Sequence, residues 1–531
     1  MKTAGPRLAW LVKRRRRINR FCKTDPNSPS LKICKTHNSP KRQFASLSNV
    51  RRRNLKARVT LVNPPYPSGA VQAPFIPLGI GYLAAFLEKN QYEVNVIDCQ
   101  VNYPSPKQLA HEFAKTKPDV VGLTCATLTY KPALEIVKIV KEVRPTCLTV
   151  MGGPHVTVLD EQTLQEQNAP DVVARGEGEQ TLLELADLAS NSDLGNLGKV
   201  NGISFKKNGQ LVRTQDREFI ENLDALPHPA YHHFGLRGYK FAGKMYLPII
   251  TSRGCPFNCA FCLASKMCGR GFRARSPKNV VAELEWLRDE QGADAFAFYD
   301  DTFTFDKKRA FDICDEMIAR KVALPWDCRT RVDQVTKEML LKMKKANCKL
   351  IHYGVESGSQ KMLNAMKKGT TVEQNARAIK LTKDVGIGAA ISVVVGYPGE
   401  TPEMLRQTVD FMNKTKPDYV YMCQAIPYPG TEMASTLETL GWEMDSEWNH
   451  YDEVTPVFKS PLLPQEEIDK VRKEFFNSFF SPTYFVRESM RGDFYSKIMA
   501  RTALNHLLWR SKIPKLFSAV ARKAPAKKNS N

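Results

Sequence analysis

Three cysteines within eight residues constrain this chain more than any other feature. Arg253-Gly254-Cys255-Pro256-Phe257-Asn258-Cys259-Ala260-Phe261-Cys262 spaces them Cys-x-x-x-Cys-x-x-Cys, directly after the apolar run Tyr246-Leu247-Pro248-Ile249-Ile250-Thr251. The loop therefore leaves the end of a strand. Thiolates hold iron–sulfur clusters, usually with four cysteines to a cluster. Here the short-spaced set stops at three, which would leave one iron of a cubane open to a substrate or cofactor. Structural zinc wants four tetrahedral ligands, commonly as two short pairs. No such pair follows, and Cys268 is the only nearby candidate for a fourth ligand.

The rest of the chain alternates short apolar runs with longer amphipathic ones. In residues 59–187 the runs at 59–62, 94–97, 120–123, 148–151 and 172–174 read as strands, with helices between them. Five such strands make a doubly wound parallel sheet, which binds ligands beyond its carboxyl ends. Residues 188–245 read as a connector, with a hairpin over 203–212 turning at Asn208-Gly209. Residues 246–445 return to strand–helix alternation. Strands are expected at 246–252, 295–299, 326–331, 349–355, 389–396 and 418–425, and Thr401 sits where a helix N-cap belongs. Six such units suit a partial TIM barrel, whose site lies at the carboxyl ends of the strands.

The cysteine loop resembles the signature of the radical S-adenosylmethionine (SAM) enzymes, and Phe261 matches the aromatic residue that family carries before its third cysteine. The resemblance implies that Cys255, Cys259 and Cys262 hold a [4Fe-4S] cluster whose open iron chelates SAM. It implies SAM contacts at the ends of three later strands: Asp300 and Asp301, then Glu356 and Ser357, then Gly396 and Gly399. Gly152-Gly153-Pro154-His155, with Arg175-Gly176-Glu177-Gly178-Glu179 further on, resembles the cobalamin-binding domain found ahead of many radical SAM domains. That implies cobalamin contacts from Thr127, Gly152, Gly153, Gly176 and Glu177. The first loop, Asn63-Pro64-Pro65-Tyr66-Pro67-Ser68-Gly69, departs from the methionine-synthase pattern by lacking the cobalt-ligating His. His155 reads as a loop residue.

The architecture expected is α/β: a basic disordered extension (1–58), a cobalamin-type domain (59–187), the connector (188–245), the barrel (246–445) and a basic helical tail (446–531). The resemblance is to radical SAM C-methylases and to the anaerobic Mg-protoporphyrin ester cyclase. It implies methylation of an unactivated carbon on a small hydrophobic substrate, a lipid or tetrapyrrole, with electrons from a ferredoxin or flavodoxin. A ring-forming cyclase without methyl transfer is the alternative. A methylthiotransferase would carry three further cluster cysteines; Cys99, Cys125 and Cys147 stand in the right half but beside separate strands.

Charge bears on partners. Of the formal net charge of +23, residues 1–58 carry eighteen Lys and Arg against one Asp, and residues 485–531 carry eleven against two acids. The middle of the chain is near neutral, unlike the basic core of a nucleic-acid enzyme. Thirteen scattered cysteines suit a reducing, cytoplasmic setting. The tail mixes Phe, Leu and Trp with cations, a pattern suited equally to peripheral contact with the inner face of a membrane and to a helix packed on the barrel with a solvated basic face.

Overall fold

The structure is a computed structural model that describes residues 56–67, 75–241 and 243–510. The basic extension up to Leu55, Ser68 and Gly69 of the first loop, and all residues after Arg510 lie outside the described residues.

Runs of Val, Leu and Ile pair in parallel as β1 (Val59–Asn63), β2 (Val94–Asp98), β3 (Val120–Thr124), β4 (Leu148–Gly152) and β5 (Val172–Ala174), in the order β2-β1-β3-β4-β5. Strands covered on both faces read as continuous apolar runs, as these do. The order reverses between β1 and β3, which opens a crevice at the carboxyl ends. The sheet does not end at β5. The hairpin expected in the connector, β6 (Ile203–Lys207) and β7 (Gln210–Arg213), continues it antiparallel to seven strands. Asn208 and Gly209 both take positive φ, 51° and 79°, as a tight hairpin turn requires. Arg175 secures the join. Its buried guanidinium donates to the Ile203 carbonyl and Ser204 Oγ, each at 2.5 Å, and to the Thr214 carbonyl at 2.7 Å.

The second sheet begins with β8 (Lys240–Phe241) antiparallel to β9 (Lys244–Ile249). A two-stranded ribbon, β10 (Ser252–Arg253) with β11 (Arg273–Ala274), brackets the cysteine loop. β9 then heads a parallel array with β12 (Ala295–Phe298), β13 (Trp326–Thr330), β14 (Cys348–Glu356), β15 (Gly388–Val395) and β16 (Tyr419–Gln424), paired in chain order. These six strands fall where the alternation placed them. Ser276, Asp306, Thr336 and Thr371 each accept a backbone amide three residues on and so cap the helices Pro277–Asp289, Lys307–Ala319, Lys337–Lys345 and Val372–Asp384. A cap of this kind contributes about 1 kcal/mol. Thr401 occupies the same position before Pro402–Thr415 without making a side-chain cap bond.

Alternation along β12 sends Phe296 and Phe298 toward the helices and Ala295 and Ala297 to the inner wall. Ala390 is inside as well, so the wall leaves room. The tail fills it. Helices Gln465–Phe479, Pro482–Arg491 and Phe494–Arg510 bring Phe480, Tyr484, Tyr495, Met499 and Ala503 against Tyr246, Ala295, Ala297, Leu350 and Ala390. Asp327, wholly buried on the same wall, accepts the hydroxyls of Tyr246 and Tyr495, the latter at 2.8 Å. The tail is therefore a docked set of helices whose aromatics face the barrel, not a helix lying free on a surface. Leu507 and Leu508 are half-buried, and the side chain of Trp509 lies outside the described residues. Among the described residues, no helix is long and apolar enough to cross a membrane.

Ending the chain at Tyr484 removes Tyr495, Met499 and Ala503 from that wall. A large apolar side chain contributes about 1.5–3 kcal/mol when buried. The truncated protein should melt well below the full chain in calorimetry and bind more hydrophobic dye. Equal melting would mean that the tail is no part of the barrel core.

Candidate functional site: two adjoining cavities

Backbone geometry shapes the cysteine loop. Gly254 has φ +88°, and a Cβ there would stand 2.1 Å from the Gly271 carbonyl oxygen, so the position demands glycine. The Cys255 amide donates to the Gly269 carbonyl at 3.2 Å, and the Ala260 amide to Met366 at 2.9 Å. The Met433 amide donates back to the Ala260 carbonyl at 2.9 Å. Held this way, the free thiols Cys255, Cys259 and Cys262 all line one cavity of about 470 Å³ at the carboxyl ends of the barrel strands. Phe261 lines it too. Cys268 lines a different cavity. Three thiols facing one space, with the fourth candidate elsewhere, fit a cluster that keeps an iron open.

The strand ends supply the polar wall. Glu356 takes φ +62° where β14 slips register against β15. It pairs with Lys368 at 2.6 Å, both 7% exposed. A non-glycine residue held there stores strain of the kind that collects at functional sites. Arg331 pairs with Asp333 at 2.9 Å, lies 3.7 Å over the Phe257 ring and reaches within 3.9 Å of Cys259 Sγ. Asp301 lines the same cavity with its side chain open to it, and desolvation by the surrounding walls, then the neighbouring Asp300, push its carboxyl above the usual range.

Other expected SAM contacts stand back from this space. Asp300 is buried and accepts the Thr251 and Ser252 amides at 2.5 and 3.1 Å, together with the Thr251 hydroxyl, so it braces the end of β9. Ser357 is wholly buried, 3.0 Å from Thr408 Oγ1. Gly396, at φ +76°, lines a separate cavity of about 850 Å³, and its amide donates to Glu400 Oε2 at 2.6 Å. Burial raises the Glu400 carboxyl to about 7. Gly399, at φ +88°, has open space where a Cβ would be.

A second cavity, of about 350 Å³, lies between the carboxyl ends of the first sheet and the barrel. Leu61, Ile80, Leu83, Leu123, Val150 and Leu182 line it, interrupted by Gly79, Gly152, Gly153, Gly176 and Gly178. A Cβ at Gly79 or Gly176 would meet nothing within 4 Å, so bare backbone faces the space there. Gly153 differs: at φ +109° its Cβ would stand 2.7 Å from the Cys125 carbonyl oxygen. The loop after β3, not a ligand, demands that glycine. Thr127 lies outside the cavity, 3.2 Å from His155 Nδ1. His155 is the second residue of a short helix, Pro154–Val158, rather than part of a loop. It is buried against Tyr130 and Trp448, and burial lowers its pKa to about 4. Among the described residues, no His lines this cavity. Apolar, glycine-broken walls fit a flat macrocycle bound without a protein imidazole.

The two cavities adjoin, and Asp301 lines both. Beside their junction, Arg253 pairs with Glu177 at 3.0 Å and Glu179 at 2.6 Å. Arg273 pairs with Glu177 at 3.0 Å, and the Ile220 amide donates to Glu177 at 2.8 Å. Burial works against the charge on Arg253, but Glu179 and Glu177 outweigh it and raise its pKa. Glu177, expected as a cofactor contact, lines the cavity with its carboxylate turned to arginines. Glu179, Arg253, Arg273 and Lys368 were not among the expected site residues. Arg253 sits inside the cysteine motif, and Glu179 inside the Gly-Glu-Gly-Glu run, so the sequence held that much signal.

Comparison with known proteins agrees with both halves. Residues 69–186 match the B12 binding domain family and residues 249–412 the radical SAM superfamily. An uncharacterized methyltransferase of Pyrococcus horikoshii is 34% identical over 435 residues, 81% of this chain and 94% of that protein. The anaerobic magnesium-protoporphyrin IX monomethyl ester cyclase of Rubrivivax gelatinosus is 31% identical, over 82% of this chain and 80% of that one. Among solved structures, the radical SAM methyltransferase TsrM of Kitasatospora setae superposes with TM-score 0.65 at 19% identity, covering 81% of this chain and 90% of that one. The cobalamin-dependent SAM radical enzyme OxsB gives 0.66 at 21%, covering 87% and 72%. At these identities the two structures speak to the fold.

Gly79→Phe should fill the apolar cavity. Cobalamin retained after reconstitution should fall by about tenfold or more, equivalent to about 1.4 kcal/mol of binding. Iron content and cobalamin-free melting should hold. Gly153→Ala should instead lower the melting temperature itself. Equal cobalamin occupancy in wild type and Gly79→Phe would place the macrocycle elsewhere.

Proposed function

The chain belongs to the radical SAM enzymes with an amino-terminal B12-binding domain, and we propose that it methylates an unactivated carbon of a small, largely apolar substrate. Its cofactors are those of the family: a [4Fe-4S] cluster, SAM and cobalamin. The observation that carries the proposal is the shared wall. Asp301 lines both cavities, so one substrate can lie between a site for radical generation and a site for a methyl donor.

When bound, these groups supply hydrogen abstraction and a transferable methyl group; this chain's residues bind, orient and shield them. Cys255, Cys259 and Cys262 hold the cluster in this proposal. Asp301, after β12, and Glu356, at the end of β14, would bind SAM. Phe261 and Phe257 keep the cluster side of the cavity dry. Apolar side chains from Leu61 to Leu182, with backbone at Gly79 and Gly176, take the macrocycle's face. A small electron carrier of the ferredoxin or flavodoxin kind, in a reducing cytoplasm, completes the proposal. Peripheral contact with the inner membrane face would fall to the exposed Val486 and Met490, beside Arg487.

The similarity to Mg-protoporphyrin ester cyclases, 31% over 82% of the chain, favours oxidative ring closure as the second possibility. Methyl-labelled SAM separates the two. Reconstituted anaerobically, the protein should form 5′-deoxyadenosine and a product heavier by the labelled methyl group. Replacing any one of the three cysteines with Ala should abolish 5′-deoxyadenosine. A product lighter by hydrogens and carrying no label would make it a cyclase, and full activity in Cys259→Ala would overturn the cluster assignment.

A further inference from the structure

Three cations line the cysteine cavity: Arg329, Arg331 and Lys368. Two are committed. Lys368 is paired with Glu356 at 2.6 Å. Arg331 is paired with Asp333 at 2.9 Å and stands beside Cys259, where it would border a bound cluster.

Arg329 is placed differently. It leaves the end of β13 on the inner wall, two residues beyond Asp327. Its guanidinium lies 3.6 Å over the Tyr299 ring, and Tyr299 lines the second cavity. Arg329 therefore stands on the partition between the two cofactor sites, where an acceptor carbon must lie to be reached from both. Its protein partners hold it from one side: Nη1 reaches the Phe298 carbonyl at 3.3 Å and pairs with Asp327 Oδ1 at 3.4 Å, and although burial works against its charge, Asp327 outweighs it and raises its pKa. Asp327 already accepts the Tyr246 and Tyr495 hydroxyls, and burial pushes its carboxyl upward. His352, 3.5 Å from Asp327, adds no charge, because burial and Arg329 lower its pKa to about 3. Of the three acids on the cavity wall, Glu356 is held by Lys368, Glu453 accepts the Tyr428 hydroxyl at 3.3 Å, and Asp301, whose carboxyl is pushed above the usual range, forms no ion pair among the described residues. The Arg329 side chain stays 31% exposed. Tyr421, 44% exposed, forms part of the same wall.

We infer that Arg329 anchors an anionic group of the substrate, so that the methyl acceptor is an apolar or aromatic body bearing a carboxylate or phosphate. A planar guanidinium donates two parallel bonds to such a group. Asp327 fixes it from behind and Tyr299 from below, and the stacked tyrosine offers the apolar body a flat face. A neutral hydrocarbon would leave the cavity side of the guanidinium, away from Asp327, without a hydrogen-bond acceptor. This inference rests on the methylase proposal for where the substrate lies.

The test uses a small-molecule extract of the source cells, split on an anion exchanger into retained and flow-through fractions. Holoprotein is incubated with each fraction and methyl-labelled SAM. Consumed compounds and products are followed by mass spectrometry. Turnover is expected in the retained fraction. For the compound found, Arg329→Gln should raise KM by about tenfold or more, with a smaller change in kcat and partial rescue in Arg329→Lys. Iron content should match wild type, and Arg329→Lys, which keeps a charge against Asp327, should also match it in melting. Turnover of a neutral compound overturns the inference, as does an unmoved KM. A raised KM for SAM without substrate would put Arg329 on SAM instead. A retained compound converted without the label defeats methyl transfer, while the anchor is still judged on the same KM comparison. A wild type that converts nothing overturns both.

Discussion

Four buried side chains set the geometry on which the rest depends. Glu177 and Glu179 follow the end of β5, and Arg253 and Arg273 belong to the ribbon that brackets the cysteine loop. Each is 13% exposed or less. Charges this dry persist only when paired, and removing one partner typically costs 3–5 kcal/mol. Position gives the network its meaning. Gly176, immediately before Glu177, lines the apolar cavity. Arg253 is two residues before Cys255. One set of ion pairs therefore fixes both cradles against each other, and the shared wall at Asp301 is the result.

The barrel shows the same economy. Its inner wall carries small residues on β12 and β15, and the tail's aromatics close it from one side. Tyr495 reaches from the tail to Asp327, and Asp327 stands behind Arg329. A residue some 170 positions away in sequence thus helps to orient a cation at the partition. This explains why aromatic residues recur in a tail that, taken alone, resembles a membrane-surface helix. Periodicity reveals that a helix is amphipathic but not what covers its apolar side.

Local features were legible and long-range pairings were not. The cysteine spacing, the strand runs and the Asn208-Gly209 turn follow from chemistry within a few residues, and each stands where the sequence placed it. The hairpin's attachment to the first sheet was not legible, because it depends on Arg175 meeting Ser204 and Thr214. Gly153 shows the same limit. A glycine pair beside a flat ligand suggests close approach, yet the crowding atom is a carbonyl of the neighbouring loop. Asp300 and Asp301 are adjacent and chemically alike. Only the fold turns one into a brace for β9 and leaves the other on the wall of both cavities.

The central claim is that the ion cluster holds the two cofactor sites at one separation. Pulsed electron paramagnetic resonance can measure that separation in protein carrying both a reduced cluster and cob(II)alamin. Wild type should give a single narrow distance distribution. The Glu177→Gln, Glu179→Gln double variant, with both cofactors still bound, should give a broader or displaced one. An identical distribution in the two proteins would contradict the account.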